Sequence, residues 1–549
     1  MTGRRSGARA LVEVLLAQGV ERVFCVPGES FLPVLDALYD VRDQIETVVC
    51  RHEAAATNAA EATGKLTGRP GIAFVTRGPG ATHGSVGVHT AKQDSSPMIL
   101  FIGQISTEDR EREAFQEIDY RAFFGPITKW ATEIDDADRV PELVERAFHV
   151  AMQGRMGPVA MALPEDMLAA ETDAQCNGRV ERARQGLDSR TLGVIGARLA
   201  QAERPLMILG GSGWDENAVE TMLHFAAQWQ LPVALSFRRK HLLDNDAPCY
   251  IGDLGLGPNP KLVARVKQAD LLLVIGARLG ENPTQGYTLL SRADGGRLIH
   301  IHPDPEEIGR VWPCYGAVAD PCETASALFS LPIMRTWPEW CSSARAEYEA
   351  YAAPLDVKAP VNLSKIYAHM AEVLPANAII ANDAGNFAIW LHRFYKHRQF
   401  NTQLGPTSGA MGYAIPAAIA AQAHDRQREV FAVLGDGCFM MEGNELATCV
   451  RHKLDIKILV IDNGSFGTIR MHQERHFPGR VHATDLSNPD FVAYARAFGV
   501  WGKAVERTED FAAALAEARA HDGPALLHIK TDVENIAPGV TIAGLRGAQ

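Results

Sequence analysis

These 549 residues contain no CxxC pair, no long run of Lys and Arg, no uninterrupted apolar stretch of bilayer length and no complete GxGxxG fingerprint. Each absence narrows the reading. The cysteines Cys25, Cys50, Cys176, Cys249, Cys314, Cys322, Cys341, Cys438 and Cys449 are odd in number and dispersed. They suit reduced core thiols in a cytoplasmic protein, not a disulfide framework or a zinc site. A formal net charge of −12 without basic runs argues against nucleic acid or an anionic membrane as the main partner and leaves small molecules. Arg4, Arg5 and Arg9 precede an apolar stretch broken by Glu13 and Gln18. That pattern reads as an amphipathic helix, neither a signal peptide nor a membrane span. No short repeat occurs, which excludes a solenoid.

What is present is enough apolar sequence, 46% of the chain, for several cores, and ordinary domain sizes suggest about three. Short β-branched runs (Gly71 to Val75, Met98 to Ile102, Val159 to Leu163, Leu206 to Leu209, Leu271 to Ile275, Leu298 to Ile301, Ile458 to Ile461) alternate with Ala-rich helical stretches. This alternation predicts an α/β architecture of parallel sheets flanked by helices. Polar connectors at Glu171 to Arg190 and around Trp337 to Val361 divide the chain into units at 1–170, 190–335 and 360–531, with a tail at 532–549.

Gly435-Asp436-Gly437 follows the apolar run Val430 to Leu434, and Asp462-Asn463 follows Ile458 to Ile461. A carboxylate and a carboxamide at two strand ends face one crevice at the carboxyl edge of a sheet. Magnesium takes oxygen ligands there and bridges them to phosphates; Asp436, Asn463 and a main-chain carbonyl near Ser465 form the candidate set. Gly435 and Gly437 leave room for a phosphate, and a helix expected from about Glu442 adds its positive end. GDG alone equally suits an ordinary strand-to-turn junction. The second strand end about 25 residues later argues for a diphosphate held through magnesium.

GDG followed by a pair ending in Asn resembles the signature of thiamin-diphosphate enzymes, although Asp462 stands where that family usually has a first Asn. The resemblance extends to Gly78-Pro79-Gly80-Ala81-Thr82, Ala114-Phe115-Gln116-Glu117-Ile118-Asp119, Thr128-Lys129-Trp130, Gly157-Pro158-Val159, Leu163-Pro164-Glu165-Asp166 and Ile299-His300-Ile301 with Asp304-Pro305. These segments are similar to the large catalytic subunit of acetolactate synthase and related 2-oxo acid decarboxylases and carboligases. The resemblance implies a pyrimidine-binding domain, a middle domain with a dinucleotide-type fold and a diphosphate-binding domain. It also implies a homodimer or homotetramer with active sites between subunits. In Arg51-His52-Glu53, Glu53 resembles the carboxylate that activates the aminopyrimidine ring. In Ser408-Gly409-Ala410-Met411, Met411 resembles the wedge that bends the coenzyme, an unbranched polarisable filler, and the Gly409 carbonyl its hydrogen-bond partner. Gly385-Asn386-Phe387 forms a further turn toward the diphosphate, and Cys438, next after GDG, is grouped with the coenzyme-binding residues.

The resemblance implies decarboxylation of a 2-oxo acid and transfer of the resulting acyl carbanion or enamine to a carbonyl acceptor. Gln116 matches the glutamine of acetolactate synthase relatives. Glu29 stands where pyruvate decarboxylases carry an Asp and offers an acid for protonation, while no adjacent His-His pair supports a pyruvate-decarboxylase relay. Ile469 resembles the pocket residue of benzoylformate decarboxylase, His472 falls where acetolactate synthase selects substrate with Trp, and Arg77 suits a substrate carboxylate. His472 and His476 have a zinc-compatible spacing but no third ligand. Gly210-Gly211-Ser212-Gly213 and Gly276-Ala277-Arg278-Leu279-Gly280-Glu281-Asn282 fall where acetolactate synthases bind FAD. Both are incomplete, so FAD is not favoured. The alternatives carried forward are an aldehyde-releasing decarboxylase, a lyase of the benzaldehyde lyase type, a nicotinamide oxidoreductase and a silent binding homologue.

Overall fold

Three six-stranded sheets, parallel throughout, carry the chain; the computed structural model describes residues 3–547. The first contains β1 (Arg22–Cys25), β2 (Glu46–Val49), β3 (Gly71–Val75), β4 (Met98–Gln104), β5 (Trp130–Glu133) and β6 (Pro158–Pro164), in the spatial order β2-β1-β3-β4-β6-β5. The middle sheet contains β7 (Pro205–Leu209), β8 (Val233–Ser236), β9 (Tyr250–Leu254), β10 (Leu271–Ile275), β11 (Leu298–His302) and β12 (Tyr315–Val318), ordered β9-β8-β7-β10-β11-β12. The third contains β13 (Ile379–Asn382), β14 (Gln403–Leu404), β15 (Val430–Gly435), β16 (Ile456–Asp462), β17 (Trp501–Val505) and β18 (Ala525–Lys530), ordered β14-β13-β15-β16-β18-β17. The first and third sheets thus share one topology, while the middle one has the strand order of dinucleotide-binding folds. The central strands β3, β4 and β10 are buried along their whole length, as expected of strands covered by helices on both faces.

The Ala-rich helix α1 (Glu53–Thr67) and the Gly-containing helix α2 (Pro79–Asp94) cover one face of the first sheet. Their small side chains allow close approach. At Gly71, which opens β3, an added Cβ would lie 1.8 Å from the Ala60 carbonyl oxygen of α1. The segment around Trp337 to Val361, expected to be a connector, holds the helix α3 (Pro338–Ala352). Trp337, Cys341 and Tyr348 bury themselves in the middle domain's core, so apolar spacing prevails over the polar composition that suggested a linker.

The third domain adds α4 (Asn386–Phe394), α5 (Ala414–His424), α6 (Asp436–Glu442) and α7 (Gly467–His476). Helix α5 lies on α1, and the first and third domains share a continuous core through Ala55, Ala56, Ala59, Ala417, Ala418 and Ala421. Beside it runs a buried ionic seam. Lys65 Nζ is 3.1 Å from both Glu61 and Asp94, the Tyr413 hydroxyl bonds Glu61 at 2.6 Å, and Asp94 accepts from Thr407 N and faces Arg239. The three domains therefore meet on one set of desolvated charges. The tail is folded: α8 (Ile542–Gly547) sets Ile542 beside Ile536, Ala537 and Met471, and Arg546 pairs with the buried Glu474. Among the described residues, no helix is long and apolar enough to cross a membrane.

Candidate functional site

In the third domain, β15 and β16 pair in parallel with Gly435 opposite Ile461, which puts Asp436 and Asp462-Asn463 side by side beyond the carboxyl edge. The helix expected from about Glu442 instead begins at Asp436 and ends at Glu442. The strand stops at Gly435, and a carboxylate in a first turn favours helix initiation. Glycine is required by close contact. A Cβ at Gly437 would be 2.7 Å from the Phe466 ring, and one at Gly435 would be 3.2 Å from the Phe387 ring.

Asn488 bridges the two acids, its Nδ2 donating to Asp436 Oδ2 at 2.7 Å and to Asp462 Oδ1 at 2.9 Å. Burial and the neighbouring Asp462 charge raise the Asp436 carboxyl. Burial also works against ionisation of Asp462, but the His528 imidazole at 2.8 Å and the Gly464 N–H at 3.0 Å outweigh it and hold that group below its ordinary value. The negative charge of the pair therefore settles first on Asp462, and Asp436 holds its proton up to about pH 6. Asn463 Oδ1 accepts from Ser465 N at 3.1 Å, and the Ser465 hydroxyl donates to Thr484 O.

A cavity of about 870 Å³ opens at this edge. Gly385, Asn386, Phe387, Gly409, Met411, Gly435, Asp436, Gly437, Cys438, Asn463, Ser465, Ile469 and His472 all line it. The Cys438 thiol, raised by burial, donates to the Ala384 carbonyl, so it lines the wall as a structural group. Asn386 ties the site together: its Nδ2 donates to Ile536 O in the tail, and its Oδ1 accepts from Thr468 at the start of α7. His472 and His476 stack with ring centroids 6.3 Å apart, and among the described residues no third metal-ligand side chain joins them.

The first-domain candidates do not line that cavity. They gather at the turn that follows β3. Arg77 pairs with Glu29 at 3.1 Å and with Glu165, so its guanidinium is engaged by two carboxylates. Gln116 presses against Gly78, where a Cβ would be 2.7 Å away. Glu53, in the first turn of α1, lies against Gly80 and bonds His83 at 3.1 Å.

Sequence reasoning missed several residues. Asn488 and His528, which set the charge on the strand-end acids, carry no local motif. Asn535 to Pro538 and Val540 of the tail, and Leu256 to Pro258 and Pro260 of the middle domain, also line the cavity, brought there only by the fold. His83 sits four residues beyond Pro79, one helical turn on, and helical spacing was the one signal for it.

Three family models match the chain in order: the N-terminal TPP binding domain of thiamine pyrophosphate enzymes over residues 5–123, their central domain over 194–328 and their C-terminal TPP binding domain over 383–529. The acetolactate synthase isozyme 2 large subunit of Escherichia coli is 32% identical over 551 residues, covering 97% of each chain. A probable acetolactate synthase large subunit of Methanocaldococcus jannaschii is 31% identical, covering 98% of this chain and 94% of its own. The acetolactate synthase large subunit of Corynebacterium glutamicum is 30% identical over 94% of this chain and 85% of its own. With all three domains matched in sequence, and with Asp436, Asn463 and the strand-end glycines gathered around one cavity, the chain belongs to the thiamine pyrophosphate enzymes.

Proposed function

We infer that the protein is an acetolactate-synthase-like carboligase that uses thiamin diphosphate and Mg²⁺ to decarboxylate a 2-oxo acid and transfer the remaining acyl unit to a carbonyl acceptor. The observation that carries this reading is the cavity itself, which joins Asp436, Asn463 and Ser465 to Gly409 and Met411. The donor set fits the metal: it is all oxygen, the Cys438 thiol is turned to Ala384, and the Asp436 carboxyl, raised to about 6, is ionised at neutral pH. The coenzyme supplies an electron sink that lets carbon dioxide leave. Asp436, Asn463 and Ser465 would hold the ion, the side-chain-free Gly435 and Gly437 would admit the diphosphate, and Met411 would set the bend.

Glu53 is the group that would hydrogen-bond the ring. Because it lies outside the cavity of its own chain, the site is read as completed by Glu53 from a second copy. Met440 and Met441, half exposed beside the cavity, suit burial by that copy. Mixing Glu53→Gln with Asp436→Ala subunits then restores activity that neither variant has, because a mixed dimer contains one intact site; no recovery means each chain builds its own. The middle domain is read without FAD. The Arg182 guanidinium lies on Gly213, where a Cβ would meet it at 2.6 Å, and pairs with Asp320, while Trp214 donates to Gly210 O. Purified protein accordingly carries no flavin absorbance.

The test of the reaction is incubation with thiamin diphosphate, Mg²⁺ and pyruvate or a longer 2-oxo acid. The reading expects carbon dioxide and an acyloin product. Free aldehyde alone favours a simple decarboxylase, and no carbon dioxide from any 2-oxo acid favours a lyase.

A further inference from the structure

At the first-domain edge, three metal-ligand side chains from two helices and their caps converge. His52, Glu53 and His83 each offer one ligand atom, and these atoms lie within 4.8 Å of one another. Two imidazoles with one carboxylate form a borderline-soft donor set suited to Zn²⁺, unlike the all-oxygen set at Asp436 and Asn463.

The corner is held in place before any ion arrives. The backbone N–H of His52 donates at 3.0 Å to Glu445, a carboxylate with no exposed surface, which fixes the start of α1. His52 Nδ1 accepts from Ala54 N at 3.1 Å and lies 3.6 Å from Glu442 Oε1. The other oxygen of that buried Glu442 carboxyl has no partner. For Nε2 of His52 to ligate a metal, the ring proton must move to Nδ1, which gives up the bond from Ala54 N and turns to the Glu442 carboxyl 3.6 Å away, an outer group that then fixes the tautomer.

His83 is the adjustable member. Its ring stacks on His52 with centroids 4.9 Å apart and planes 23° from parallel, so the two lone pairs do not yet converge. Its Nδ1 is already 3.1 Å from Glu53 Oε2, and 54% of its side chain is exposed.

We propose that His52, Glu53 and His83 bind a divalent transition-metal ion, with Zn²⁺ the best match, and that the bound ion keeps Glu53 from the coenzyme ring. The inhibitory half rests on Glu53 having the role given above; the binding half does not.

Co²⁺ is the probe, because a four-coordinate N/O site gives it an intense visible absorption. It is titrated into the full chain, free of coenzyme and saturated with Mg²⁺. The expected result is one Co²⁺ per chain, displaced by Zn²⁺. His83→Asn should weaken uptake by about 10- to 100-fold with the melting temperature retained, and Asp436→Asn should leave uptake intact. Zn²⁺ should inhibit the wild-type enzyme in competition with coenzyme and inhibit His83→Asn far less. A Co²⁺ signal that is absent, that survives in His83→Asn, or that vanishes in Asp436→Asn overturns the site. Normal Co²⁺ uptake without inhibition by Zn²⁺ keeps the site and overturns its effect on turnover, whereas the role of Glu53 falls only if Glu53→Gln keeps wild-type turnover.

Discussion

After its third strand the first domain turns through Arg77-Gly78-Pro79-Gly80, with Glu53, Glu29 and Gln116 packed around that turn; after its third strand the third domain runs straight into Asp436 and α6 and opens on a cavity of about 870 Å³. The strand order is the same in both. The chemistry is not, because a parallel sheet only determines where strand ends point, and the residues placed there decide what they do. One edge offers a carboxylate on a helix start, suited to proton exchange with a ring. The other offers a desolvated acid pair and an amide, suited to a hard cation.

This division of labour can be broken at either edge. Glu53→Gln should lower turnover by about 10²- to 10⁴-fold, the usual weight of a proton-transfer group, while leaving coenzyme retention and the melting temperature unchanged; near wild-type turnover would remove the first edge from catalysis. Asp436→Asn should do the reverse and release coenzyme and Mg²⁺ on gel filtration, as chelation should in the unaltered enzyme. The pH dependence of that edge follows from the Asp436 carboxyl, pushed up to about 6 by burial and by Asp462. Mg²⁺ must displace its proton, so affinity measured by calorimetry should rise about tenfold per pH unit up to about 6 and level off above it. In the metal-free chain the linked stability has the opposite sign. It is fully present below the ordinary value of 3.8 and is lost as pH rises through about 6.

The seam between the two domains is the next target. Asp94→Ala leaves Lys65 with Glu61 alone and Arg239 with backbone carbonyls only, and should cost about 3–5 kcal/mol, read as a lower thermal midpoint; Asp94→Asn tests whether charge or hydrogen bonding to Thr407 matters more. The smallest effect is expected at Gly412, which has φ +79° and would bring a Cβ within 2.8 Å of Glu442 Cγ. Gly412→Ala should cost about 1–3 kcal/mol, and a neutral result would show that Glu442 yields.

Much of the third-domain site was readable because its groups stand on strand ends. An apolar run followed by Gly-Asp-Gly, and another followed by Asp-Asn, gives both position and direction. The first-domain turn was readable in its members but not in its pairings. Arg77 looked available for a substrate carboxylate, and only the fold brings Glu29 and Glu165 onto it. The polar stretch after Trp337 read as a linker because its apolar residues are sparse, yet Trp337, Cys341 and Tyr348 are spaced to share one helix face.

The sequence alone determined which strands form, where they end and which acids and glycines lie at those ends, because periodicity and turn chemistry act over a few residues. Only the tertiary structure decided which acid of the strand-end pair keeps its proton, through Asn488 and His528, and that the tail closes on the cavity. It alone brought His52, Glu53 and His83 together. Such contacts join residues far apart in the chain, and their energies depend on burial, a quantity that exists only after the domains have packed.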